Sequence, residues 1–549
     1  MAGDRGSAAA GVGTRFFVMQ RPGWGVQEYV PDHSRCLFDG RQWIQHSYAA
    51  MRLLGMSLVL LSASVVALGQ TNTAGIRKVS LEDCIQSALE KNLDMRIARY
   101  NPPMAMADLE AAYGGYNPTF TLGGAHNFAK SGGGINSQLG VVTFPTTADQ
   151  NTFNSSLSGI APWGLNYSLQ GSLTESYGNA GPTQPFDTSS GTTFLRLSQP
   201  LLKNFWIDQI RFNIQVGKNR LNYTDLGLKL TIMNLVTTVE QAYYDLVYAR
   251  ENVTVQAKAV ELATQLVVEN KKRVEVGSLA PLDEKQAEAQ AASSEASLIA
   301  AKAALVTQEN TVKQLITDNF ASVEPVDLQP TAPLAAPVRV FDRQISWSKG
   351  LADRPDLLQA KLDVARQGIT VKYTFNQLFP ELDLTGGYGL GANIPSGDLR
   401  QGINEIGQGS LPSHSYGAQL TYPIGNTAAR ANYKKSKLGM EQLVLTLKKL
   451  EQTIMVTIDN DITQARSSYQ QVAATRAARE YAAEALAAEQ KKLENGKSTT
   501  YTVLQMQRDL TTARGNEIQA LANYNKSLAQ LSLDEASTLQ RLGINVEVK

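Results

Sequence analysis

The chain is poor in the residues that perform chemistry. Its 549 residues include four His, two Cys and 7 % aromatics. Downstream of residue 70 only Cys84, His126 and His414 remain of those two types. No intramolecular disulfide can form there. No zinc-type spacing and no nucleophile–base arrangement can be assembled either, so neither an enzyme nor a metal or cofactor site is expected. A net charge of +1 with 18 % charged residues leaves no polyanion-binding face, which excludes nucleic acid as the expected partner. Past the N-terminal region there is no run of about 20 apolar residues, so no helix is expected to cross a bilayer. Two glycine motifs resemble nucleotide loops and fail on spacing. Asn495-Gly496-Lys497-Ser498 has Lys491 where a phosphate-binding loop requires glycine, and Gly386–Gly391 opens no helix.

What is present begins at Met51-Arg52-Leu53-Leu54, followed by an apolar run to Leu68 and a small-residue exit at Ala67-Leu68-Gly69. Residues 51–69 read as a secretory signal peptide. Because a signal belongs at a true start, residues 1–50 read as a non-native N-terminal extension upstream of Met51; a genuine leader is the other reading. No cysteine follows the expected cleavage site near Gln70, so no lipid anchor is expected there.

The chain then says the same thing twice. An offset of 262 residues carries Asn117-Pro118-Thr119-Phe120 onto Phe379-Pro380-Glu381-Leu382, and Asn92-Leu93-Asp94-Met95 onto Arg354-Pro355-Asp356-Leu357. Repeats fix architecture before any local pattern does. The first repeat spans 79–322, a Pro-rich equatorial connector 323–341, the second repeat 342–541 and a tail 542–549. In each repeat a helix precedes strands, and a very long helix runs to a glycine turn and returns.

Ser80 with Asp83 predicts a capping box opening a helix over about 80–112. From Pro118 to Pro200 apolar residues alternate among Ser, Thr, Asn and Gly. Period two over about ten residues is a strand, and ten tilted residues span a membrane. The excess length of the first copy contains two further alternations, 151–161 and 165–177. An added hairpin would give four strands in copy one and two in copy two, 18 in a trimer; an ordered loop would leave 12. The second copy is read as strands 382–390 and 416–422 separated by a Gly-rich loop.

Helices are expected over 206–275 and 428–494. The row Val239, Leu246, Val253, Val260, Val267, Val274 repeats every seven residues, which means a left-handed coiled seam. A helix of 70 residues is about 105 Å long. Lengths suggest that 283–319 and 344–377 stack end to end against 206–275, and that 501–540 and 80–112 stack against 428–494. Open sheet edges are not tolerated in lipid, and one chain has too few strands for a wide barrel, so an oligomer is required.

This order of helix, strands, long helix and glycine tip, duplicated behind a signal peptide, resembles the TolC-like outer-membrane factors over 79–541. The resemblance rests on Leu81-Glu82-Asp83 with Ala88-Leu89, on Gln199-Pro200-Leu201-Leu202 and Tyr422-Pro423-Ile424-Gly425, and on the two tips. It implies a mixed fold: a long α-helical coiled-coil tunnel plus a transmembrane β-barrel completed by oligomerisation. It also implies a homotrimer in the outer membrane lipid with its helices in the periplasm, docked onto a periplasmic adaptor and an inner-membrane pump. Such an assembly is a passive exit duct for efflux or type I secretion, gated at its helix tips. Val276, Gly277, Ser278 and Leu279, with Gly496, Lys497 and Ser498, would be the docking turns. The bland reading of the two glycines is a tight turn between antiparallel helices. Many relatives carry acidic residues after the second tip; here Thr502 and Gln505 stand at those places. Asp283, after the first tip, matches the pattern and either lines the entrance constriction with them or faces its own helix dipole. A coiled-coil surface or adhesive protein with a barrel anchor is the alternative, but it predicts a single stalk without duplicated tips.

Overall fold

Proline and capping residues cut the chain into segments before anything packs. The computed structural model describes residues 75–136, 141–395 and 399–544; the expected extension, the signal segment and the end of the tail lie outside them. Strand β1 (Ile76–Val79) is followed by helices α1 (Leu81–Lys91), α2 (Leu93–Ala98) and α3 (Asn101–Tyr113). Strands β2 (Thr119–Ser131), β3 (Gly134–Asn136), β4 (Val141–Thr143), β5 (Thr146–Ile160), β6 (Asn166–Asn179) and β7 (Pro185–Pro200) come next. The chain descends in α4 (Gln209–Glu275), returns in α5 (Pro281–Ile316) and passes one-turn helix α6 (Phe320–Val323) to strand β8 (Asp327–Pro330). Helices α7 (Arg343–Asp353) and α8 (Pro355–Asn376) lead into β9 (Glu381–Ile394), α9 (Leu399–Gln408) and β10 (Leu411–Thr421). The second descent is α10 (Thr427–Glu494), and the chain returns in α11 (Thr500–Asp534) and α12 (Thr538–Arg541).

The capping box forms as expected: Asp83 N–H donates to Ser80 Oγ at 3.1 Å, and Ser80 N–H donates to the Asp83 carboxylate at 3.1 Å. The helices expected over 80–112 and 344–377 are, however, broken. Asn92 adopts φ −58°, ψ 131° and accepts from Met95 N–H, so it ends α1 and caps α2. Arg354 adopts φ −63°, ψ 122° because Pro355 disfavours helix at the preceding residue. Asn92 and Arg354 are 262 residues apart, so the breaks are themselves part of the repeat.

Each break builds a joint with the top of the returning helix. Asn92 Nδ2 donates to Leu315 O at 3.1 Å, and Arg96 pairs with Asp318 at 3.5 Å. In the second copy Arg354 donates to Asp534 O at 3.4 Å and to its carboxylate at 2.8 Å. The two glycine tips, Gly277 and Gly496, are 219 residues apart, and the same offset carries Leu315 onto Asp534. Each ascending stack therefore comes from one repeat, α5 beneath α1–α2 and α11 beneath α7–α8. This corrects the crossed assignment from lengths, which failed because the candidate totals were nearly equal.

The 219-residue offset also pairs the cores of the descending helices. Val239, Tyr243 and Leu246 of α4 match Ile458, Ile462 and Ala465 of α10, and all six are buried. Of the seven-residue row, Val239 and Leu246 are core, whereas the members from Val253 downward are only half-buried. Below them the buried face shifts to Ala263, Leu266 and Asn270. An α-helix drifts about 20° per heptad unless it supercoils, which moves the seam across its surface.

The connector crosses the outside of these helices. Its β8 pairs in parallel with β1, tying residue 76 to residue 327. Ala332 N–H donates to the Tyr243 hydroxyl at 3.3 Å, Tyr524 hydroxyl to Pro337 O at 2.6 Å and Arg466 to Phe341 O at 3.0 Å. Helices α4, α11 and α10 are thus bound by one strap.

The second joint is strongly acidic. Arg354 bridges Asp356 and Asp534, and no donor reaches the buried Asp461 Oδ2 on α10. Burial, with Asp534 alongside, pushes the Asp461 carboxyl up to about 8. The folded state then keeps a proton that the unfolded chain releases near 3.8, so stability falls as pH rises from about 4 to about 8. Replacing Asp461 with Asn should flatten that fall in melting temperature and leave the variant more stable than the parent at pH 9. An unchanged slope would remove Asp461 as its source.

Candidate functional site at the helix tips and the sheet edges

The candidate geometry lies at two ends of the molecule. At one end α4 and α10 each stop at a glycine with φ in the left-handed region, +77° at Gly277 and +67° at Gly496. The hydrogen bonds repeat as well. Gly277 N–H donates to Val274 O at 2.9 Å and Ser278 N–H to Arg273 O at 2.8 Å; Gly496 N–H donates to Leu493 O at 3.1 Å and Lys497 N–H to Lys492 O at 2.8 Å. This is the Schellman pattern, which satisfies the last carbonyls of a helix and requires φ > 0 at the residue after the cap. Lys272, Arg273, Lys491 and Lys492 in the last turns complement the negative ends of the helix dipoles.

Around the tips Val276 is 78 % exposed, Ser278 and Lys497 are exposed, and Leu279 and Ser498 are half-buried. Asp283 and Thr502 are equivalent under the 219-residue offset, each the third residue of its returning helix; both are half-buried and Gln505 is exposed. Among the described residues no hydrogen bond or ion pair joins Asp283 to Thr502 or Gln505. The two hairpins meet instead through a small core in which Leu266 of α4 packs with Leu486, Leu493, Val503 and Leu504.

Two bracing residues were missed in the sequence, and the repeat would have revealed them. Seven residues before each tip glycine, Asn270 and Glu489 occupy one equivalent place. Buried Asn270 donates to Asp283 O at 3.3 Å, while Glu489 accepts from the Ser498 hydroxyl and pairs with Lys492 at 2.9 Å. The Ser498 hydroxyl, and Lys492 beside it, hold the Glu489 carboxyl below the usual range.

At the other end lies one antiparallel sheet in the order β10-β9-β7-β6-β5-β2. Six strands per chain replace the four of the ordered-loop reading, and the alternations at 151–161 and 165–177 are β5 and β6. One register row crosses the sheet as Phe120, Leu157, Leu169, Leu195, Tyr388 and His414. The neighbouring row is Thr121, Ser156, Gln170, Phe194, Gly389 and Ser413. Period two has made one face apolar and the other polar. The exposed Leu122, Phe128, Leu384, Tyr416 and Leu420 all lie on the apolar face, with Tyr416 89 % exposed. His126 and His414 stand on this face too, placed there by their register. At the helical end of the sheet Trp163, Trp206 and Tyr422 are exposed, the aromatic edge typical of a membrane boundary. Among the described residues no helix is long and apolar enough to cross a membrane.

Both outer strands, β2 and β10, are exposed along their whole length and lack a second neighbour. The sequence profile of the family described as outer membrane efflux protein matches residues 163–317 and 347–533. The chain belongs to that family. It is 26 % identical over 412 residues to the outer membrane efflux protein BepC of Brucella suis, a match covering 72 % of this chain and 84 % of the relative. Among solved structures its fold is similar to the Campylobacter jejuni CmeC outer membrane channel, with TM-score 0.61, 18 % identity and coverage of 83 % and 86 % of the two chains. It is likewise similar to the open state of the Neisseria gonorrhoeae MtrE outer membrane channel, with TM-score 0.60, 17 % identity and coverage of 84 % and 89 %. The mixed fold of helical tunnel and β-domain is therefore that of an outer-membrane channel, and the chain resides in the outer membrane.

Open space surrounds both tip glycines, so a methyl group would clash with nothing and only the backbone would object. The left-handed conformation costs about 1–2 kcal/mol for a residue with a Cβ. Gly277→Ala and Gly496→Ala should each raise amide exchange at residues 278 and 497 respectively, about five-fold or more, with exchange at mid-helix unchanged. No change at the tips would show that the turns tolerate another geometry.

Proposed function

We propose that three copies of this chain form a passive exit duct, part of a tripartite efflux or type I secretion assembly. The observation that carries this reading is the amphipathic six-stranded sheet with two open edges. Lipid leaves backbone groups no other partner, so β10 of one copy must pair with β2 of the next. Three sheets close into 18 strands, within the range of known outer-membrane barrels. The Ser-, Thr- and Gly-rich face then lines the lumen and the apolar face meets lipid.

Helices α4 and α10, 67 and 68 residues long, extend about 100 Å from the sheet into the periplasm. The exposed tips at Val276–Leu279 and Gly496–Ser498 are the docking turns for a periplasmic adaptor that joins the duct to an inner-membrane pump. Both tips are at the same end and braced in the same way, which supports a common docking role. Asp283 from each copy, together with Thr502 and Gln505 of the second hairpin, supplies the acidic element of the entrance. Transport energy comes from the pump, since the tip sequence Asn495-Gly496-Lys497-Ser498 lacks the strand and glycine of a phosphate loop.

Cysteines at Ser278 and Lys497 should cross-link to a co-expressed adaptor, whereas a cysteine at exposed Val338 on the strap should not. Cysteine pairs across β2 and β10 should give covalent trimers on unheated and heated gels. Capture from Val338 alone, or ladders without a closed trimer, would sink the duct reading. Asp283→Asn should lower the cation preference of single channels in planar bilayers; unchanged selectivity would assign Asp283 to capping its own helix.

A further inference from the structure

The segment between β9 and β10, expected to be a Gly-rich loop, contains helix α9, and its position is unusual. It joins the ends of β9 and β10 farthest from the long helices, so it belongs to the outer rim of the sheet. It packs on β9, β7 and β6, which lie inside the two edge strands. The side it covers is fixed by close contacts. A Cβ placed on Gly191 would lie 2.7 Å from Ile406 Cδ1 and 2.9 Å from Leu173 Cδ2, and one placed on Gly402 would lie 3.2 Å from Ser189 Oγ and 3.3 Å from Leu173 Cδ2. Leu173, Ser189 and Gly191 share the apolar face with Leu169 and Leu195. That face carries Ser189, Gly191 and Ala392 where α9 sits, all small and all buried beneath it. Small residues at the seat and glycine in the helix are what allow a helix and a strand backbone to approach so closely.

We infer that α9 is an in-plane membrane helix, lying on the outer wall of the barrel in the outer leaflet rather than over the mouth of the lumen. The occupant of its free flank is lipid. The sheet face on which it rests is the lipid-facing one, and the strands beneath it are not β2 or β10, the edges at which a neighbouring copy pairs. The helix is divided accordingly. Gly402 and Ile406 face the sheet, Ile403 on the adjoining flank is 56 % exposed, and Arg400, Gln401, Asn404, Glu405 and Gln408 occupy the remaining side. An apolar stripe beside a polar stripe on a short helix is the pattern of a segment held at the boundary of acyl chains and headgroups. Ile403 is thereby placed in the acyl layer and Arg400 among the anionic headgroups. The consequence for transport is that this connection leaves the outer mouth uncovered.

This inference rests on the barrel reading, and the test separates the two. The full chain, with Cys36→Ser and Cys84→Ala, is reconstituted as a trimer in lipid nanodiscs, its trimeric state checked on unheated gels. Single cysteines at Ile403 and Asn404, with Leu195 and Gln170 as references, are labelled with a nitroxide. Collision with oxygen, which partitions into lipid, is compared with collision with a water-soluble nickel chelate. Expected is a ratio at 403 severalfold in favour of oxygen, like that at 195, and the reverse at 404, like that at 170. Equal access of nickel at 403 and 404 would overturn the inference by placing α9 in water. Shielding from both reagents at 403 would overturn it by placing protein there. Failure at 195 and 170 themselves would count against the barrel. A bimane at 403 quenched by brominated acyl chains provides the same reading without the nitroxide.

Discussion

A backbone amide in hydrocarbon has only another backbone to bond to, and this chain is organised around that fact. Its sheet has six strands, too few to close with a useful bore, and ends in two exposed strands. Alternation along every strand supplies one face suited to lipid and one suited to water. The polar side carries Ser, Thr, Gly and Gln in rows, broken by Phe194, which lies over Gly387 and Gly389. The helices have no such requirement, because their bonds are internal and their surroundings aqueous. The duplicated sequence therefore diverges most where the membrane makes the demand: copy one contributes four strands to the sheet and copy two contributes two.

The helical part obeys a different economy, in which equivalent positions keep their mechanical role and change their chemistry. At the joints Asn92 and Arg354 both donate to the carbonyl at the top of a returning helix. The first joint is apolar around Met95 and Ala242; the second contains Arg354, Asp356, Asp461, Asp534 and Glu535, with Ser346 bonded to Glu535. At the tips Asn270 and Glu489 both brace the returning strand of the hairpin, one to a backbone carbonyl and the other to a serine hydroxyl. At both places the bonding side chain is neutral in the first copy, Asn92 and Asn270, and charged in the second, Arg354 and Glu489.

The architecture was legible because it is periodic. Glycine tips, the strand alternations and the upper part of the seven-residue row, Val239 and Leu246, survive reading without coordinates, and Gly277 and Gly496 adopt the conformation their sequence demanded. What stayed hidden was non-periodic or ambiguous. Strands β1 and β8 have four residues each and pair across 251 positions, leaving no local signal. The pairing of the ascending stacks could not be read from lengths that nearly agreed. Helix α9 was obscured by Gly402 and Gly407, residues that normally argue against a helix, although Gly402 is what permits its contact with the sheet. The bracing residues Asn270 and Glu489 look unrelated until the 219-residue offset aligns them.

The strap formed by the connector holds the long helices well above their tips. It grips α11 at Tyr524, and from there to the start of that helix at Thr500 is about 36 Å at 1.5 Å per residue. Below this grip each hairpin is held mainly by its own partner and by the small core around Leu266. A tilt of about 5° about the grip carries the tip through about 3 Å, the width of a water molecule, while the residues beside the fulcrum hardly move. If the tips form the entrance proposed above, a change of bore there would leave the packing of the upper helices little disturbed.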